Sequence, residues 1–186
     1  MRVTGAVRRA AIGGFTLIEM ALVAVVLGIG ITLVAVNLEM LVPSTKMSAA
    51  SRRLVSILSD CRMHALTHSK PYGVELDLDG SRYRIVTPLR DDGVLALSRE
   101  DRFALTWNLL PEGIRIESVV AGTAPPLTSG SYLVDFSPSG SAPPTLIYLF
   151  HQQMEKEVTL RLIGLTGRVD LHSGRFQPQV VNEASF

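Results

Sequence analysis

An apolar run of 22 residues near the N-terminus, residues 15–36, constrains this chain more than any other feature. At about 1.5 Å of rise per residue, a helix of this length spans the roughly 30 Å hydrocarbon core of a bilayer. Glu19 is the single charged residue in the run. The run therefore predicts a transmembrane helix, followed by a part of the chain that lies outside the bilayer.

The basic residues before this run predict its orientation. Arg2, Arg8 and Arg9 precede it, and such flanks stay in the cytoplasm while the remainder is sent outward. A secretory signal would have a shorter apolar region closed by a small-residue cleavage site, and no A-x-A pattern closes this one. The sequence predicts a single-pass inner-membrane protein whose C-terminal domain lies in the periplasm.

Charge and composition exclude several kinds of site. The formal charge is +1, and without the three early arginines 15 basic residues stand against 17 acidic ones, a net charge of −2. This balance does not indicate a nucleic acid partner. Cys61 is the only cysteine, which excludes an intrachain disulfide and a multi-cysteine zinc site. His64 and His68 have helical spacing but lack the glutamate of an HExxH pattern, so neither a metal nor a cofactor is predicted.

Glu19 is unusual because a carboxylate within an apolar span costs about 2.5 to 3.5 kcal/mol of insertion free energy. A charge in this position either has a partner or lies at the membrane face, where water solvates it. The residues by themselves leave both interpretations open.

The residues around Glu19 resemble the type IV prepilin signal. After a short basic leader, the sequence GGFTLIEM has a glycine before the cleavage point, a phenylalanine after it and a glutamate four residues further on. The resemblance implies that a prepilin peptidase cuts between Gly14 and Phe15, removes the leader 1–14 and methylates the new amine of Phe15. It also implies that Glu19 pairs with the Phe15 ammonium of a neighbouring subunit and so sets the register of assembly.

After the membrane span, the spacing of apolar residues predicts an amphipathic helix that extends the first one over residues 37–69. From Ser44 to about Ser69, apolar residues recur at steps of three and four and form one stripe. Cys61 lies on this stripe, which predicts a buried structural thiol rather than a reactive one. The stripe consists of Met47, Ala50, Leu54, Ile57, Leu58, Cys61 and Ala65.

The period changes to two after Pro71, which predicts a β-rich domain over residues 70–186. Strands over 72–78 and 81–87 flank Asp79-Gly80, a favoured two-residue hairpin turn. Counting outward from the turn predicts the pairs Asp77 with Arg82, Leu76 with Tyr83, Glu75 with Arg84 and Val74 with Ile85.

Six further strands are predicted, and the order of elements, a helix followed by antiparallel strands, indicates an α+β fold. Residues 121–131 are predicted to form an exposed loop. Residues 137–140 are predicted to form a tight turn rather than a phosphate site. The six strands are residues 103–109, 114–120, 132–136, 145–150, 158–163 and 168–171.

Later motifs resemble the GspH/FimT group of minor pseudopilins and minor pilins. They are the hairpin PYGVEL, the segment Leu110–Ile114, the turn Phe136–Gly140 and Leu165–Val169. The resemblance implies a pilin-like fold, with a long N-terminal helix whose first half spans the membrane. It implies a minor pseudopilin of the type II secretion system, a structural subunit without catalytic residues, at or near the tip of the periplasmic pseudopilus. Its implied partners are other minor and major pseudopilins, inner-membrane secretion assembly proteins and the prepilin peptidase.

Two alternatives are weighed against this function. In the DNA-binding minor pilins of the same group, a Gly-Arg-x-Arg motif contacts DNA for uptake in natural transformation. This chain has Gly167-Arg168-Val169-Asp170, with an acid at the second basic position, and each lost phosphate contact weakens binding. For an enzyme, the tempting groups are Ser173 beside His172 and the pair Asp91-Asp92, which we interpret as solvated turn residues.

Overall fold

A computed structural model describes residues 16–176, and within that range it describes the side chains of residues 16–30 and 45–176. The chain divides into two compact units, Met1–Val42 and Pro43–Phe186. One helix, α1, runs over Leu17–His68 and contributes residues to both. The predicted leader 1–14, with Gly14, and Phe15 after it lie outside the described residues.

In the first unit, α1 begins with a capped turn. The Glu19 N–H donates to the Thr16 carbonyl oxygen at 3.0 Å and to Thr16 Oγ1 at 3.3 Å. A threonine cap with a glutamate three residues later is the capping-box sequence, which satisfies backbone donors at a helix start. The apolar side chains that follow are exposed, from Leu17 to Ile29.

Across residues 16–176, no helix combines the length and the hydropathy that crossing a membrane requires. The predicted span 15–36 includes Phe15 and the side chains of residues 31–36, which lie outside the description. The transmembrane helix therefore stays a prediction.

In the second unit, the predicted helical stripe is confirmed as the part of α1 that enters the core. Leu54, Leu58 and Ala65 are fully buried, and Ile57 is partly buried beside them. The helix ends at His68, and Ser69 follows with a φ of 51°, the left-handed conformation that often ends helices.

Within residues 16–176, eight strands form two antiparallel sheets of four, which confirms the α+β prediction. The first sheet has the order β3-β2-β1-β5, and the second has the order β4-β6-β7-β8. Residues of α1 and of both sheets share one buried cluster. The strands are β1 Tyr72–Asp77, β2 Arg82–Val86, β3 Asn108–Leu109, β4 Ile114–Ala121, β5 Ser131–Phe136, β6 Thr145–His151, β7 Lys156–Ile163 and β8 Arg168–Ser173.

The predicted register of the first hairpin is confirmed at all four pairs of β1 and β2. The charges meet on one face, with Arg82 Nε 2.6 Å from Asp77 Oδ2 and Arg84 Nε 2.6 Å from Glu75 Oε2. On the other face Leu76 and Tyr83 are buried. The alternation of charged and apolar residues was sufficient to predict the register, because a slip of one residue would exchange the two faces of the strand.

The predicted two-residue turn at Asp79-Gly80 is wrong, since residues 78–81 all lie in the turn. The Leu78 N–H donates to the Gly130 carbonyl oxygen at 2.9 Å instead of pairing across the hairpin. The Gly80 N–H donates to Asp77 Oδ1 at 3.1 Å, so the aspartate side chain closes the turn. These hydrogen bonds involve a distant loop and a side chain, which local turn preferences do not include.

The predicted strand 103–109 is wrong over most of its length. Residues 103–105 run beside β2, where Leu105 donates to the Ile85 carbonyl oxygen, but regular pairing returns only at β3. Trp107 instead lies over the guanidinium carbons of Arg84 and Arg82, 4.2 and 4.5 Å from its ring centroid. This stacking on cations replaces the alternation of an ordinary strand.

The strand β6 is buried on both faces of the second sheet. Ile147 and Leu149 belong to the core shared with α1. Tyr148, on the opposite or outer face, is also buried, because the chain after β8 turns back across that face. There Tyr148 Oη donates to the Phe176 carbonyl oxygen at 2.8 Å, and Thr159 Oγ1 donates to that of Gly174 at 2.7 Å.

Candidate functional site

Glu19, the predicted assembly residue, lies in the exposed first turn of α1. A carboxylate in this position is stabilised by the positive end of the helix dipole. Within residues 16–176 no cation forms an ion pair with it, and its predicted partner is the Phe15 ammonium of a neighbouring subunit. The intersubunit role of Glu19 therefore stays a prediction, while its backbone has a local role in the cap at Thr16.

In the Gly167-Arg168-Val169-Asp170 segment, the two charged side chains form an ion pair with each other. Arg168 Nε is 3.0 Å from Asp170 Oδ1, and Arg168 Nη2 is 3.4 Å from Asp170 Oδ2. Both side chains lie at the start of β8, two residues apart, and therefore on the same face of the strand. The arginine that would meet a phosphate is thus already paired with a carboxylate.

Other charges on the outer face of the second sheet are also paired. Arg175 Nη1 is 3.4 Å from Glu117 Oε2 and 3.3 Å from Glu157 Oε1. Arg115 is 4.0 Å from Glu117, which lies at a bulge in β4. Acids alternate with arginines over this face, so it does not form a continuous cationic track for a phosphate backbone.

The groups considered for catalysis do not assemble. His172 stacks on Phe176 with ring centroids 4.7 Å apart, and its buried Nε2 has no hydrogen-bond partner among the described residues, whereas Ser173 is exposed. Asp92 is used locally, with Oδ1 accepting from the Val94 N–H at 3.0 Å. Nothing in residues 16–176 groups three or more metal-ligating side chains.

His64 and His68 lie on the exposed side of α1. Their rings stack at 5.5 Å, and His68 Nδ1 is 3.0 Å from the His64 carbonyl oxygen, so the ring donates to its own helix. Tyr72 packs beside both rings. The pair forms part of an aromatic surface cluster.

Cys61 is confirmed as a buried thiol. It is 1% exposed, and Sγ lies 3.7 Å from the Gly73 carbonyl oxygen, to which the S–H donates. Burial, and secondarily the charge of Asp60, raises the pKa of Cys61 to about 12. The thiolate, the reactive form, is therefore scarce near neutral pH.

We expect native protein at pH 8 to resist labelling by a thiol reagent such as DTNB, and unfolded protein to release one equivalent at once. Because only the unfolded thiol ionises above its ordinary pKa of 9.0, the free energy of unfolding should also fall as the pH rises from there toward 12. Rapid stoichiometric labelling of the folded protein would contradict this burial.

Sequence reasoning missed the clamp at Asp135. Arg102 Nη1 binds Asp135 Oδ1 at 2.8 Å, and Arg99 Nη2 binds Asp135 Oδ2 at 2.9 Å. Asp135 lies on β5, and both arginines belong to the long segment between β2 and β3. No local pattern signals this contact, because its partners are more than thirty residues apart in the sequence.

No protein-family model matches the chain, and no curated protein is similar to it. Two solved structures of the minor pseudopilin EpsH, from the type II secretion system of Vibrio cholerae, are similar. One has a TM-score of 0.51 at 17% identity and covers 71% of this chain and 95% of EpsH. The fold of this chain is similar to that of EpsH. The other has a TM-score of 0.49, also at 17% identity, and covers 68% of this chain and 95% of EpsH. The similarity at a TM-score of 0.51, together with the helix packed on two antiparallel sheets, confirms the predicted pilin-like architecture.

Proposed function

We propose that this chain is a minor pseudopilin of a type II secretion system. It is a structural, non-enzymatic subunit at or near the tip of a periplasmic pseudopilus that drives folded proteins across the outer membrane. Its partners are other minor and major pseudopilins, inner-membrane secretion assembly proteins and the prepilin peptidase. The observation that carries the proposal is the fold shared with EpsH.

The N-terminal sequence supports this assignment independently of the fold. A pilin-like domain by itself does not specify a filament, but here it follows an apolar segment that begins with a prepilin-type junction. In this proposal the segment 15–36 anchors the subunit in the inner membrane before assembly. Glu19 then pairs with the Phe15 ammonium of a neighbour where the dielectric constant is low and the attraction is strong.

Secretion is favoured over DNA uptake by the charge of the domain. Asp170 stands where the DNA-binding motif has its second arginine, and its contact with Arg168 offsets the charge of the first. The contacts of Arg175 with Glu117 and Glu157 leave the neighbouring surface mixed in sign. Because affinity for DNA rises with the number of phosphates that cations neutralise, such a surface supports little binding.

Deletion of the gene is expected to reduce export of folded proteins and to leave natural transformation unchanged. The measurements are exoprotein activity in the medium and transformant counts, with the wild-type gene restored in trans as the control. A strain that exports normally and loses transformation would refute the assignment. Steep, salt-dependent micromolar binding of the purified protein to duplex DNA would refute it as well.

The mature protein is expected to begin at Phe15 and to carry an N-methyl group. A glycine before the cut allows close approach of a peptidase to the backbone, and the Gly14-Phe15 junction separates a basic leader from an apolar segment. Intact-mass measurement of protein from native membranes checks this. A dominant species that begins at Met1, or a cut beyond residue 36, would contradict it.

A further inference from the structure

An open groove of about 320 Å³ lies on the outer face of the second sheet. Val120 of β4, Leu146 of β6 and Phe176 give it apolar walls, and Pro144 closes one side. Among the described residues that line it, Arg161 of β7 is the only charged one. Its volume is at the lower end of the range of ligand sites, about 300 to 1,000 Å³.

Arg161 has no carboxylate partner among the ion pairs of residues 16–176. Its cross-strand neighbour is Asp170, whose two oxygens contact Arg168, and no ion pair joins Asp170 to Arg161 among the described residues. The guanidinium carbon of Arg161 instead lies 4.9 Å from the centroid of the Phe176 ring. A guanidinium stacked on a ring keeps its edge donors available for a planar acceptor.

We propose that this groove binds the C-terminal residue of a partner polypeptide. The terminal carboxylate pairs with Arg161, and an apolar last side chain packs against Val120, Leu146 and Phe176. A carboxylate accepts two parallel hydrogen bonds from a guanidinium, which gives geometry as well as strength. Capture of a terminal carboxylate is a recurrent mode of peptide recognition.

The shape of the groove favours a polypeptide over a free fatty acid. The groove is short and open, so a long acyl chain would leave much of its apolar surface in water. A peptide places only its last residues in the groove, and the rest of the chain leaves through the open side. Binding at this site is independent of the proposed place of the subunit in a filament.

The test uses the full chain in a nonionic detergent and a fluorescein-labelled hexapeptide that ends in leucine and phenylalanine. Fluorescence anisotropy should show saturable binding of the free acid, and at least about tenfold weaker binding of the C-terminal amide. Arg161→Gln should bind the free-acid peptide about tenfold more weakly than the wild-type protein does. Arg115→Gln is the matched control, since Arg115 stacks on Phe150 of the same sheet at 5.0 Å but does not line the groove. The affinity of this variant for the peptide should stay within twofold of the wild-type value.

A second variant keeps the test independent of any single side chain. Val120→Asp places a negative charge in the groove and should also abolish binding, while thermal melts establish that each variant is folded.

Equal binding of the free-acid and amide peptides, or unchanged binding by the Arg161→Gln protein, would overturn the site. Competition by octanoate as effective as that by peptide would assign the groove to small carboxylates instead. Binding that occurs only after removal of residues 177–186 would identify the chain's own tail as the occupant, and would also overturn the proposal.

Discussion

Replacing Gly167 by alanine is expected to lower the free energy of unfolding by about 3 kcal/mol. Gly167 has a φ of +61°, which costs a residue with a Cβ atom about 1 to 2 kcal/mol. The added Cβ would also overlap the Gly140 carbonyl oxygen and lie 2.9 Å from Arg62 Cδ on α1. Displacing packed backbone costs about 1 to 3 kcal/mol more.

Thermal unfolding of the full chain, followed by circular dichroism, should show a decrease in Tm of about 6 to 12 °C. Gly122→Ala is the matched control, because Gly122 has a φ of +59° but an added Cβ would meet nothing within 4 Å. This variant should lose only about 1 kcal/mol. Equal losses for the two variants would show that the close approach of Gly167 to Gly140 contributes nothing.

The Gly167→Ala experiment also separates two roles of the same motif. In this chain the glycine allows the turn between β7 and β8 to pack against the Phe136–Gly140 turn and α1. A stability effect without any change in DNA affinity would assign the motif a packing role here. That result would agree with the pairing of Arg168 to Asp170.

Glu19→Val is expected to leave membrane insertion intact and to reduce crosslinking to partner pseudopilins by about tenfold or more. In the proposed membrane span, the substitution removes a charge and should make insertion easier. In the proposed contact, the Phe15 ammonium of the neighbour would lose its counter-charge, and an uncompensated buried charge costs about 3 to 5 kcal/mol. Crosslinking in native membranes measures this step, and membrane fractionation measures insertion.

The control for Glu19→Val is Met20→Val, which changes the next side chain of the same exposed turn without changing its charge. Met20→Val should crosslink as the wild-type protein does. If Glu19→Val also crosslinks normally, Glu19 is a solvated residue at the membrane face and its assembly role is wrong.

The sequence was sufficient where one physical preference dominated. The stripe from Met47 to Ala65 identified the buried side of α1, because a partly buried helix repeats its apolar contacts every three or four residues. The β1–β2 register followed from alternation, since its charged and apolar faces agreed. Seven of the eight strands in residues 16–176 were also located, since each contributes apolar residues that belong to the shared core or pack against it.

Prediction failed where distant groups compete with local preferences. The hairpin turn is longer than predicted because the carbonyl oxygen of Gly130, far away in the sequence, accepts the Leu78 N–H. Trp107 left the expected strand because two arginines of β2 present their guanidinium groups to its ring. Among the candidate site residues, Gly14, Phe15 and Glu19 were recognisable from the sequence as a motif, and nothing in residues 16–176 tests the role predicted for any of the three.

The amino-acid sequence by itself determined the order of a helix followed by strands, the core stripe of that helix, the hairpin register and the absence of cysteine partners for Cys61. Only the tertiary structure decided that Asp135 holds two arginines, that Gly167 meets Gly140, and that Arg161 lines a groove with no carboxylate among its described residues. The physical reason is how far apart in the sequence the interacting residues lie. Periodicity records which side of an element is buried, whereas pairing between charges and close backbone approach depend on which distant segments the fold brings together.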